Sequence, residues 1–208
     1  MTDYCGQLLN DISAIDCDNP GMAGVDGSKG WIINFDEIDR DLSTVSDEGV
    51  ISSLVLTAGS YARVITTDPD GIDPMWAYVP GAYRRDQVEQ KVAVKIFDPS
   101  PTNKQRIVDI SKGKYVVVLE RLFIKNNPTA PEVKGDTVYE AWGWDTGLVI
   151  GSETASDYND ADTGGGINLQ LTTSDRRKEV RPPYSIFDTD LATTVAMLEA
   201  LEEPASPW

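Results

Sequence analysis

The stretch GKYVVVLERLFIKNNPTAPEVKGDTVYEAWGWDTGLVIGS, residues 113–152, decides the fold. It holds the most strongly apolar run of the chain, YVVVL at residues 115–119. An unbroken run of valines this short predicts a strand buried on both faces, not a half-solvated one. A turn-rich excursion follows, and then a second strand over residues 137–144. Asp145, Thr146 and Gly147 read as a turn, and residues 148–150 as a third strand. The unit reads as the core of a sheet, and nothing in it reads as a reaction centre.

Working outward, the same logic places further strands. Over residues 85–97, Val88, Gln90, Val92, Val94 and Ile96 share one face, while Glu89, Lys91, Ala93 and Lys95 share the other. Such alternation predicts a half-buried antiparallel strand. Residues 31–35 (WIINF), 75–79 and 167–172 are also expected as strands. Residues 50–57 and 61–67 are separated only by Ala58, Gly59 and Ser60, which predicts a hairpin. Residues 67–71 and 72–74 read as a loop. A short helix is expected over residues 102–112, capped by Thr102, with Ile107, Val108 and Ile110 on one side. A C-terminal helix is expected over residues 188–203. Asp188 or Asp190 caps it, and Leu191, Val195 and Leu198 with Ala192 and Ala196 face inward. About nine strands and two helices predict a mainly β fold, a mostly antiparallel β-sandwich or β-barrel with one short helix and one C-terminal helix.

Residues 1–27 are rich in turn formers, and only Leu8, Leu9, Ile12 and Ile15 suggest a helical face. They are expected to form an N-terminal arm. Residues 28–203 are expected to form a single β-rich domain, and residues 204–208 a tail.

Composition narrows the function. The chain of 208 residues is long enough to bury a core without disulfides. It has no histidine, which removes Ser-His and Cys-His chemistry and most zinc sites. Cys5 and Cys17 are the only cysteines, and are expected to be reduced. No apolar run is long enough to span a membrane, and residues 1–10 lack the pattern of a signal peptide, so a cytoplasmic site of synthesis and assembly is expected. The formal net charge is -16, which disfavours a groove for nucleic acid or for an anionic membrane. The charge is uneven. Residues 1–50 carry eleven acids against Lys29 and Arg40, whereas residues 84–121 carry nine bases against five acids. An acidic N-terminal region could therefore meet a basic face, in the same chain or in a neighbouring copy.

Few constellations could carry chemistry. Asp68, Asp70 and Asp73 in DPDGID form either an Asp-rich turn or a weak calcium loop, without the last-position Glu of an EF-hand. Asp157, Asp160 and Asp162 pose the same choice. Trp76, Trp142 and Trp144 could stack on sugars. Trp142 and Trp144 lie two apart and therefore on one face of a strand, which favours core or interface packing. The glycines at 164–166 precede a strand and form no phosphate cradle. Arg176, Arg177, Lys178 and Arg181 form a basic run suited to a neighbour's carboxylates. No cofactor is expected, and no catalytic residue.

Four segments, YEAWGWDTGL (139–148), GGINLQL (165–171), FDTDLATTVAMLEAL (187–201) and GVDGSKGWIINF (24–35), together make the chain similar to small virion structural proteins of tailed phages of Bacteroidetes, including crAss-like phages. The resemblance is to tail-tube or connector-ring subunits. It implies a β-barrel or sandwich protomer, assembly into a ring or tube with other virion proteins, and no catalysis. DNA would pass nearby without specific binding, and no membrane would be involved. The site of action would be the virion, assembled in the host cytoplasm. On this reading Lys125, Asn126, Asn127, Val133, Arg176, Arg177 and Arg181 are candidate contacts between copies. A capsid decoration protein, and a carbohydrate- or calcium-binding surface module, are the alternatives.

Overall fold

The structure, a computed structural model, describes residues 21–67, 71–80, 87–123, 139–156, 166–175 and 177–202. Among them the fold is mainly β, with twelve strands in one sheet and two helices. The strands are β1 (Gly21–Asn34), β2 (Thr44–Val45), β3 (Val50–Ser53), β4 (Arg63–Ile65), β5 (Ile72–Tyr78), β6 (Val88–Ile96), β7 (Tyr115–Phe123), β8 (Tyr139–Trp142), β9 (Leu148–Ile150), β10 (Ala155–Ser156), β11 (Ile167–Thr173) and β12 (Tyr184–Ile186). The helices are α1 (Pro101–Ile110) and α2 (Leu191–Ala200). The main path of the sheet runs β2-β3-β12-β8-β7-β9-β11-β6-β5, with β1, β4 and β10 paired beside it. Neighbouring strands are antiparallel except β12 and β3, which run parallel.

The apolar run at 115–119 is the central strand, as its composition predicts. Val116 and Val118 point into one core with Trp31, Ile33, Ile51, Tyr139, Ile186 and Leu198. Tyr115, Val117 and Leu119 point into a second core with Val92, Val94, Leu148, Leu169 and Leu171. A strand alternates its side chains between faces, so two buried faces need two separate apolar partners. On one edge of β7 lies β1, and on the other lie β8 and then β9.

The sheet branches between β8 and β9. β8 passes the ladder to β12 and β3, which enclose the first core with α2. β9 passes it to β11, β6 and β5, which wrap the second core. Ile72, at the start of β5, returns to within 3.9 Å of the Cβ position of Gly30 on β1. The wall therefore curls back on itself at that end, and the rest of β5 has no second strand beside it among the described residues.

Several expectations change. β1 begins at Gly21, ten residues before WIINF, and pairs as far back as Gly21 with Phe123. The last part of the expected arm is thus strand. The expected hairpin of 50–57 with 61–67 does not form, because residues 55–57 bond to the preceding segment instead. Asp39 N donates to Val55 O, and Thr57 N to Glu37 O. β4 consequently crosses to pair with β1. Residues 72–74 belong to β5 rather than to a loop. α1 is capped by Ser100, not Thr102; its Oγ accepts from Asn103 N at 3.4 Å, and Pro101 fills the first position, where no N–H is needed. Val108 is exposed, and none of α1 is buried.

α2 is capped by Asp190, as one of the two alternatives has it. Its inward face is Thr194, Val195, Met197 and Leu198, while Leu191, Ala192 and Ala196 are exposed. The helix is rotated because Thr194 Oγ1 donates to Asp190 O and accepts from Asp188 N, which draws a hydroxyl inward. The far end of α2 is tied down by Glu202, which accepts from Trp31 Nε1 at 2.8 Å and pairs with Lys29 at 2.7 Å.

The two-core arrangement has a measurable consequence. Val117→Ala and Val118→Ala are each expected to cost about 2 kcal/mol in denaturant unfolding. Because they face different cores, the double variant should lose the sum to within about 0.5 kcal/mol. A coupling well beyond that would mean the two faces share one packing unit.

Candidate functional site

The most densely bonded polar group lies at the branch. β8 ends at Trp142, and the chain turns through Gly143, Trp144, Asp145, Thr146 and Gly147 before β9. Gly143 and Gly147 have φ near +79° and +80°. A side chain at Gly143 would meet Leu148 Cγ at 2.6 Å and Tyr115 O at 2.9 Å, so only glycine fits. The reversal sends Trp142 and Trp144 into different cores, Trp142 into the second and Trp144 into the first. The shared face predicted for them fails because residue 143 is not extended.

The turn is held from outside by Glu179, a fully buried carboxylate. Its Oε2 accepts from Asp145 N at 2.7 Å, and its Oε1 accepts from Thr146 N at 2.9 Å and Thr146 Oγ1 at 2.7 Å. Its own backbone exchanges two hydrogen bonds with Val88, at the start of β6. Gln90, also fully buried, accepts from Gly143 N at 2.8 Å and donates to Arg181 O at 3.0 Å. Asp145 Oδ1 accepts from Tyr184 OH at 2.8 Å, and Asp145 Oδ2 accepts from Val180 N at 3.2 Å. Arg40 donates to Trp144 O at 2.8 Å and lies 3.9 Å above its ring.

Burial pushes the Glu179 carboxyl above the usual carboxylate range; its three donors oppose this and the Asp145 charge adds to it. Burial lowers Arg40, against the attraction of Asp145 and Glu179. Burial and the bond to Asp145 raise the Tyr184 phenol. The arrangement suits anchoring. Both Glu179 oxygens are occupied by the turn they hold, and the cluster joins β6, β12 and the branch in one bonded unit.

The second feature is a surface. β5 ends the sheet path, and Met75, Trp76 and Tyr78 on it are 55%, 45% and 62% exposed. Trp76 and Tyr78 meet edge-on, with centroids 5.8 Å apart. Tyr78 also borders an open groove of about 480 Å³ with Glu48, Val180, Arg181, Pro182 and Pro183. Exposed apolar side chains clustered on a sheet edge with no further strand among the described residues mark a contact surface.

The residues singled out from sequence fall as follows. Asp73 is an exposed position of β5, opposite Ala93, and so sits on a strand rather than in a metal loop. Asp68 and Asp70 lie outside the described residues, as do Asp157, Asp160 and Asp162. Among the described residues no three acids or cysteines gather as metal ligands. Lys125, Asn126, Asn127, Val133 and Arg176 also lie outside the described residues. Arg177 is exposed; its backbone bonds to Ser174 and accepts from Thr146 Oγ1. Arg181 donates to Asp47 O at 3.2 Å and lies 5.1 Å over the Tyr184 ring.

Replacing the anchor should loosen the branch. Glu179→Gln keeps the shape, yet it sets an amide N–H against donors, and should cost about 2–4 kcal/mol in chemical unfolding. The pH dependence has a definite sign. A carboxyl raised on folding holds its proton longer in the native state, so its ionisation erodes stability as pH rises from the usual carboxylate value to the raised one. The wild-type protein should therefore lose stability over that window relative to Glu179→Gln, and parallel pH curves would contradict this.

Set against known family models, curated proteins and solved structures, the chain matches none.

Proposed function

We propose that this protein is a non-enzymatic structural subunit of a phage virion, a tail-tube or tail-ring component that assembles with copies of itself around a channel for DNA. The observation that carries the self-assembly is the edge of β5, which has no further strand beside it among the described residues and on which Met75, Trp76 and Tyr78 are exposed. An apolar edge of this kind is a hazard for a protein that stays alone and an asset for one that assembles. The net charge of -16 fits the same role, since an acidic channel repels phosphates and lets DNA slide. Assignment to a phage tail rests on the sequence resemblance.

The test is the state of the purified protein. Sedimentation velocity and negative-stain electron microscopy should show rings or short tubes at high protein concentration. A strictly monomeric species would overturn the proposal. A trimer that coats capsid lattices would instead place the protein on the phage head.

A further inference from the structure

A proton added to Glu179 has one place to point. Three atoms lie at hydrogen-bond distance from the carboxylate: Asp145 N on Oε2, and Thr146 N and Thr146 Oγ1 on Oε1. The first two are backbone N–H groups, which only donate. The third is a hydroxyl, with one hydrogen and two lone pairs. Among the described residues, Thr146 Oγ1 is therefore the hydrogen-bonded neighbour that can accept from a protonated Glu179. To do so it must turn its own hydrogen elsewhere. A second acceptor is in place, since Arg177 O lies 3.4 Å from Thr146 Oγ1. Thr146 is half-buried, so its hydroxyl stands between solvent and the fully buried carboxylate.

The charged groups around Glu179 are otherwise engaged. On the turn itself, Asp145 accepts from Tyr184 OH and Val180 N, and its charge favours the neutral Glu179 carboxyl. Tyr184 of β12 is held by that same bond. Arg40, from the segment before β2, is attracted by both carboxylates but donates to Trp144 O and stacks on that ring. Next to Val88 and Gln90 on β6, Glu89 pairs with Lys178. Arg181 donates to Asp47 O, and Arg177 is exposed. Among the described residues no Lys or Arg forms an ion pair with Glu179.

We infer that Thr146 is a two-way hydroxyl that keeps Glu179 fully bonded in either protonation state and makes the branch a pH-sensitive latch. With Glu179 ionised, Thr146 donates to Oε1. With Glu179 neutral, the added proton sits on Oε1 and is donated to Thr146 Oγ1, whose own hydrogen swings to Arg177 O. Thr146 keeps its hydrogen throughout and only rotates. The neutral form thus ties the turn to residue 177 by one more bond, and the branch grips the approach to β12 more firmly in acid. The sign agrees with a carboxyl raised on folding, whose contribution to stability is full below the ordinary carboxylate value and lost as pH rises through the raised one. The latch does not depend on whether copies assemble.

Thr146→Val tests the latch by chemical unfolding of the full chain at two pH values, one below and one above the Glu179 titration. Valine removes both the donor that serves the ionised form and the acceptor that serves the neutral one. The unfolding equilibrium constant should rise by about tenfold at each pH. Thr146→Ser keeps the hydroxyl and should recover most of both losses. A loss confined to the higher pH would make Thr146 a donor only and overturn the two-way role. A serine variant as weak as the valine one would overturn it too, by assigning the effect to the methyl group. The infrared band of the neutral carboxyl, identified by its loss in Glu179→Gln, gives a second readout. In the wild type it should appear on acidification at the position of a donated O–H, and in Thr146→Val it should shift to that of a free one. A free band in the wild type, or none, would overturn the inference even if the valine variant does not fold.

Discussion

Everything in this fold depends on a strand with no solvent face. β7 supplies alternate side chains to two cores, so both cores are built on the same strand. Val116, Val117, Val118 and Leu119 are each fully buried. Burying such side chains stabilises a fold by roughly 1.5–3 kcal/mol each. Their weight in the whole is greater than that figure, because β7 also pairs with β1, β8 and β9. A substitution that shifted the register of β7 by one residue would exchange the contents of both cores.

The branch is where an apolar solution runs out. One strand edge must serve β8 and then β9, and the chain between them has to leave the sheet and return. Its backbone N–H groups at residues 143, 145 and 146 would be stranded in the interior without acceptors. Gln90 and Glu179 supply them. A buried carboxylate is a costly choice, and it is tolerable here because three donors converge on it and Arg40 stands nearby. The same residues couple the branch to the strand that ends at the free surface. Gln90 lies directly opposite Trp76, and Val88 opposite Tyr78.

Much of this was legible in the chain itself. The absence of period in residues 115–119 announced two buried faces, and the period of two in residues 88–96 announced one. Those signals are local, since they depend only on where successive side chains point. What escaped was set by distant partners. Glu179 reads as one acid in a basic run, and nothing near it says that residues 145 and 146, some 34 positions earlier, will bury it. The alternation puts Gln90 on the correct face, yet the valines around it hide its polar role. β2, β10 and β12 are two or three residues long, too short for any period to show. Trp142 and Trp144 pack in the interior as their spacing predicts, but not on one face, because the left-handed backbone of Gly143 breaks the alternation between them. The free edge of β5 was half visible. Trp76 reads in the sequence as a ring able to stack, but that β5 ends the sheet path is a property of topology.

The lone parallel pairing, β12 on β3, carries a consequence for how the chain is made. Ser185 and Ile186 lie against Val50 and Ile51, so a strand near the start of the chain waits for one near its end. At ribosomal speeds of about 5–20 residues per second, the delay is roughly 7 to 27 seconds. Throughout that interval Ile51 and Leu54 have no Ile186 or Leu198 to pack against. The second core, drawn from β6, β7, β9 and β11, can close first. The nascent protein would thus emerge with one half sealed and the other still exposed, which makes the last helix the closing step of synthesis.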